Sequence, residues 1–160
     1  MRKRTLLILG LFVFAFVQSA AADIFKNEAA GIQFDVPKGW KVEPEGETIT
    51  ITAPDDSVSI VFWAAEEEDF EEAVEALDEE IAKVVQNIKT SGEPQKGTLN
   101  GLTVYGVEGT GEVEGVKIMW SGHLIAAKKP VLALAFAAPG LWEKHAATLE
   151  SFIASIKKIR

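Results

Sequence analysis

The 160-residue chain has no cysteine, only two histidines, two methionines and a single tyrosine. Without cysteine there can be no disulfide, no thiolate nucleophile and no cysteine metal ligand. Nor is there a thiol to carry the acyl chains of a lipoprotein. Basic residues are scarce too, 16 Lys and Arg against 24 Asp and Glu. An excess of negative charge repels phosphate backbones and anionic headgroups, which argues against nucleic acid and favours a cationic partner. Hydrophobic residues form 48 % of the chain, which excludes intrinsic disorder. Stability must then come from burying a core, and the length suits one domain.

Part of the apolar weight lies in residues Met1 to Ala22, which read as a secretory signal peptide. They offer a basic start (Arg2, Lys3, Arg4) and an apolar run from Leu6 to Val17. Ala20 and Ala22 then supply the small residues of a signal-peptidase site before Asp23. The run is shorter than the roughly 20 residues of a spanning helix, so cleavage is expected and no stable membrane anchor remains. Residues 23–160 then carry 13 basic and 24 acidic side chains, a net charge of −11. Such a chain is expected to be periplasmic or secreted.

The remainder reads as strands, helix, strands, helix. Ile32 to Val36, Thr48 to Thr52 and Val58 to Ala64 look like strands separated by turns at Pro37-Lys38-Gly39, Glu43-Pro44-Glu45-Gly46 and Pro54-Asp55-Asp56. Asp69 to Thr90 reads as one amphipathic helix near 30 Å long, with Phe70, Val74, Leu77, Ile81, Val84, Val85 and Ile88 on one stripe. Asp69 and Glu72 suit a capping box, Lys89 the far end of the dipole, and Gly92 and Pro94 the stop. Asn100-Gly101 predicts a hairpin between Gln95–Leu99 and Leu102–Glu108. Gly109-Thr110-Gly111 and Gly115 suggest the next turn, followed by a strand from Val116 to Ala127. Val131 to Ala137 is apolar on both faces, as a central strand covered on both sides would be, and its alanine face would let a helix approach closely. Leu141 to Lys158 closes the chain as a helix with Trp142, His145, Leu149, Phe152, Ile153 and Ile156 facing inward.

No candidate chemistry is strong. Gly106, Gly109 and Gly111 form a G-x-x-G-x-G, but a phosphate loop must open a helix and this one runs into a strand. A zinc site would need His123, His145 and a carboxylate to converge from a strand and a helix. Ser121 and His123 share a strand face, yet positions two apart are roughly 6–7 Å apart, too far for a nucleophile and its base. The acidic run Glu66 to Asp69 leads into a helix and does not wrap a calcium loop. No cofactor is called for. The acidic helix face of Glu71, Glu75 and Asp78 remains as a surface for a cationic partner. Trp63, opposite Phe62 on its strand, would join it as an anchor if its sheet face were uncovered.

The early G-I-x-F-x-V-P-x-G-W (Gly31 to Trp40), the two meanders around a helix, and the closing Ser155-Ile156-Lys157 resemble the PsbP-like superfamily. That group includes the extrinsic photosystem II subunit PsbP, the Ran-binding Mog proteins and many small exported bacterial proteins. The resemblance covers nearly all of residues 23–160. It implies an α+β fold, an α/β/α sandwich around a central antiparallel sheet. It also implies a non-enzymatic interaction or assembly module that docks on another protein of the cell envelope. A periplasmic small-ligand or metal-binding protein, using a cleft between sheet and helix, is the alternative.

Overall fold

A computed structural model describes residues 23–160; residues 1–22, with Ala20 and Ala22 of the expected cleavage site, lie outside them. The described residues open with a hairpin of β1 (Asp23–Asn27) and β2 (Ile32–Val36), followed by a meander of β3 (Lys41–Glu45), β4 (Thr48–Thr52) and β5 (Val58–Ala64). Two short helices, α1 (Phe70–Glu75) and α2 (Leu77–Ala82), lead to β6 (Gln86–Leu99), β7 (Leu102–Val113), β8 (Val116–Ala126) and β9 (Pro130–Ala137). The long helix α3 (Pro139–Ser155) and a two-residue strand, β10 (Lys157–Lys158), complete the order.

These strands make two antiparallel sheets, β1-β2-β10 and β3-β4-β5-β9-β8-β7-β6. Their alternation places one apolar set on each face of the larger sheet. On one face, Val58, Ile60 and Phe62 of β5 meet Val131, Ala133 and Ala135 of β9 beneath α3 and the small sheet. Phe34, Phe62 and Phe152 interlock there, with ring centroids 4.9–5.7 Å apart. Each such ring contributes about 1.5–3 kcal/mol by leaving water. On the other face, Ala73, Leu77 and Ile81 of α1 and α2 cover Trp120, Leu124, Leu132 and Leu134. The fold is thus an α+β sandwich around a central antiparallel sheet. As its two-sided apolar sequence requires, β9 is the middle strand of seven, and its alanines admit α3.

The helical segment is shorter than the roughly 30 Å its apolar period predicts. Helical residues end at Ala82, about 20 Å from Phe70 at 1.5 Å per residue, with a break at Ala76 (φ −89°, ψ 3°). Gln86–Leu99 is a strand paired with β7, and Asn87 takes a left-handed φ of 51°, which ends helical propagation. Ile88 still packs on the α1–α2 core, but from the strand, which is why the apolar period misled. Lys89, Gly92 and Pro94 therefore sit in β6 and terminate no helix. Asp69 does cap α1, its carboxylate accepting from the Glu71 and Glu72 amides at 2.9 and 3.2 Å.

Glu43–Glu45 belong to β3, and the turn is Gly46-Glu47. Gly109 and Gly111 lie inside β7 because neighbours occupy their side-chain space: a Cβ on Gly109 would stand 2.2 Å from the Lys89 carbonyl oxygen. Helix α3 stops at Ser155, since Lys157 and Lys158 pair with β2. The Asn100-Gly101 hairpin forms as expected, with φ of 48° and 81°, the signs a two-residue I′ turn requires.

Candidate functional site

A concavity lies beside α3 on the face of the large sheet that the helix packs against, over strands β6 to β8. Strand register sets its floor in two rows: Glu108, Ser121 and Ala135, then Gly106, His123 and Ala133. Helix α3 supplies an apolar wall through Trp142, Ala146, Leu149 and Ile153, with Glu150 beside them. On the other side stand Ser91, Gly92, Glu93 and Gln95 of the edge strand. Two adjoining volumes of about 440 and 370 Å³ share Glu108, Ser121 and His123. That is a size suited to small molecules or a few side chains.

Within this groove Ser121 Oγ lies 3.4 Å from His123 Nδ1, closer than the strand repeat implied because the two side chains lean together. The contact is at the outer limit of a hydrogen bond. Burial pushes the His123 imidazole below its ordinary range, so the ring is neutral at pH 7. Acyl transfer would also need free amide donors for an oxyanion. The Ser121–His123 stretch lies in β8, which is paired on one side with β7 and on the other with β9, so its backbone is committed to the sheet.

His145 stands elsewhere, half-buried and edge-on to Trp40, with ring centroids 5.7 Å apart. Its Nε2 lies 2.8 Å from Ser57 Oγ, and Ser57 Oγ donates to Asp55. This Ser–His–Asp cluster was not legible in sequence, because Ser57 and His145 are 88 residues apart and no local motif joins them. Its wiring differs from a hydrolytic triad: the serine proton goes to the carboxylate, so Nε2 is the donor and no base receives it. The Lys144 ammonium, followed by Ser57, holds the Asp55 carboxyl well below the usual carboxylate range. The cluster ties the β4–β5 turn to the first turns of α3. His123 and His145 are not brought together, and among the described residues no group of three His, Asp or Glu could hold a metal ion.

The acidic surface read from sequence lies on α1 and α2, where Glu71, Glu75 and Asp78 are exposed. Glu71 already pairs with Lys96 of β6 at 2.6 Å. Trp63 is half-buried against the α1–α2 core, and its Nε1 donates to Glu80 at 2.6 Å. Glu80 is 2 % exposed and also accepts from the Glu66 amide and from Lys83. Burial alone would raise its pKa, but the bonds from Trp63, Lys83 and Glu66 outweigh that and lower it. These contacts pin α2 to the β5–α1 connection. Lys83 also reaches Glu66 at 2.9 Å, so part of the acidic run is engaged within the fold.

No protein-family model matches the chain, and no curated protein matches it in sequence. Solved structures define the class, an antiparallel α+β sandwich shared by proteins at 10–15 % identity. The fold is PsbP-like. Cyanobacterial PsbP (CyanoP) from Synechocystis superposes with a TM-score of 0.60 at 10 % identity, over 93 % of this chain and 99 % of its own. LpqN of Mycobacterium tuberculosis, involved in cell envelope biogenesis, gives 0.61 at 15 % identity over 89 % and 88 %. PA94, a protein of unknown function from Pseudomonas aeruginosa, gives 0.58 at 12 % over 88 % and 99 %. Among the described residues, no helix is long and apolar enough to cross a membrane.

Proposed function

We propose that this protein is an exported, non-catalytic interaction or assembly module of the cell envelope that docks on another envelope protein. The observation that carries this reading is the character of the groove beside α3. It joins an apolar helix wall to a row of polar side chains, yet its Ser121–His123 floor lies on a strand paired on both sides, and the serine and imidazole stand 3.4 Å apart, at the outer limit of a hydrogen bond. The groove is a surface made to bind. The fold shared with LpqN, a protein of cell envelope biogenesis, supports the same compartment, as does the signal-like segment before Asp23.

A photo-cross-linking residue placed at Ala146, on the groove wall, tests the reading in cells. The expected result is an envelope polypeptide cross-linked from that position and from no position on the exposed side of α1. Fractionation that leaves the protein in the cytoplasm, or purified protein that turns over substrate, would sink it. The small-ligand alternative is favoured by the groove volume of about 370 Å³. Its metal version is tested by thermal melting with Ca²⁺, Zn²⁺ and EDTA, because a bound ion must raise the midpoint.

A further inference from the structure

We infer that the groove beside α3 seats a basic segment of the partner polypeptide, an Arg or Lys side chain flanked by apolar ones. The inference rests on the interaction-module reading and names the chemistry of its partner.

Charge is the first argument. Glu93, Glu108 and Glu150 line the two adjoining volumes, and no lysine or arginine does. Among the described residues none of these three carboxylates has an ion-pair partner, whereas Glu66, Glu71, Glu80 and Asp55 elsewhere are matched to lysines. His123 adds no positive charge, since burial keeps it neutral. A cation entering the groove therefore meets uncompensated acids and displaces no internal partner. An anion meets only repulsion.

Apolar lining is the second. Leu99, Trp142, Ala146, Leu149 and Ile153 present a hydrophobic wall next to those acids. A bare ammonium ion would leave that wall wet. An arginine or lysine stem with an apolar neighbour would cover it and keep the charged head at the carboxylates.

The third argument concerns the rim and selects a polypeptide over a small amine. Pairing of β6 with β7 jumps from Ser91–Glu108 to Gln95–Gly106, so Gly92, Glu93 and Pro94 bulge opposite Val107 alone. Gly92 and Glu93 line the groove at this bulge, outside the regular ladder, on the outermost strand of the sheet. Backbone released from a ladder at a sheet edge is suited to bonding an extended chain.

Two capped peptides serve as probes, Leu-Arg-Leu-Lys-Leu and its acidic twin Leu-Glu-Leu-Glu-Leu, with spermidine as a third arm. Each is titrated into ¹⁵N-labelled protein. The basic peptide is expected to give saturable shifts at Gly92, Glu93, Ser121, His123 and the Trp142 indole, with binding that weakens as salt is added. Glu108→Gln with Glu150→Gln should weaken it about tenfold, two exposed carboxylate contacts at a few-fold each. Both side chains are exposed, so the variant should keep the parent spectrum and melting point. Equal binding of the acidic twin, shifts confined to Glu71, Glu75 and Asp78, or no saturable shift with any probe would overturn the inference. Spermidine reproducing the shifts at equal strength would also overturn it, in favour of a small-amine site. Failure here leaves the cross-linking result at Ala146 standing, so the seat and the module are refuted separately.

Discussion

On the α3 side, the central sheet is closed by one 17-residue helix and a three-stranded sheet, over interlocked Phe34, Phe62 and Phe152 rings. On the opposite side two helices of six residues do the covering, and a buried carboxylate, Glu80, is tied to Trp63, Lys83 and the Glu66 amide. Helices that short have almost no stability of their own, because each must bear the cost of its own first turn. The difference shows two ways of holding a helical layer. A long helix is kept by the area it buries, whereas short ones are kept by a cap at Asp69 and a polar pin at Glu80.

If that contrast holds, Phe152→Ala has the largest effect. A fully buried aromatic truncated to alanine should cost about 3–5 kcal/mol, read as a lower urea midpoint with unchanged slope. A loss below about 1 kcal/mol would mean that the α3 face does not depend on its ring cluster. Next comes Glu80→Ala, which strands the Trp63 indole and the Glu66 amide; about 2–3 kcal/mol is expected from the same measurement.

Acid titration sharpens the second case. The folded pKa of Glu80 lies below its ordinary value of 4.5, so the unfolded chain binds the proton first. Its contribution is complete above pH 4.5 and is lost as pH falls through the lower folded value. Glu80→Gln should therefore flatten the decline of stability below pH 4.5 and leave the neutral-pH slope unchanged. Asp69→Ala removes the α1 cap and should cost about 1 kcal/mol. Smallest is Glu71→Gln, where an exposed pair with Lys96 is lost; less than about 0.5 kcal/mol is expected, with no change in the Glu80 pin.

Local chemistry was readable from sequence wherever neighbours along the chain decided the outcome. The Asn100-Gly101 hairpin, the cap at Asp69 and the two-faced strand β9 all follow from residues within a few positions. The helix was over-extended because Ile88 keeps helical period with Ile81 and Val85 while reaching the same core from a strand. Hydrophobic spacing alone does not separate those cases. Gly109 and Gly111 read as turn residues, although what requires glycine there is the approach of Lys89 and Gln86 from a neighbouring strand. The groove was equally hidden. Glu108, Ser121 and Ala135 become one row only through strand register, and Glu150 joins them from the helix that follows β9.

The small sheet has a consequence for how the chain is made. Strand β2 is held on one side by β1 and on the other by Lys157–Lys158, and the Asp35 amide donates to Ser155 Oγ, 120 positions further along the chain. Asn100 adds a clamp on the same turn through the Ala154 and Ile156 carbonyls. Loop closure over such a span is slow relative to local pairing. A chain that has not yet reached residue 158 cannot close this sheet, so its α3-side core stays open during synthesis. Completion of the α3-side core is therefore the last step in the folding of the chain, set by the arrival of its final strand.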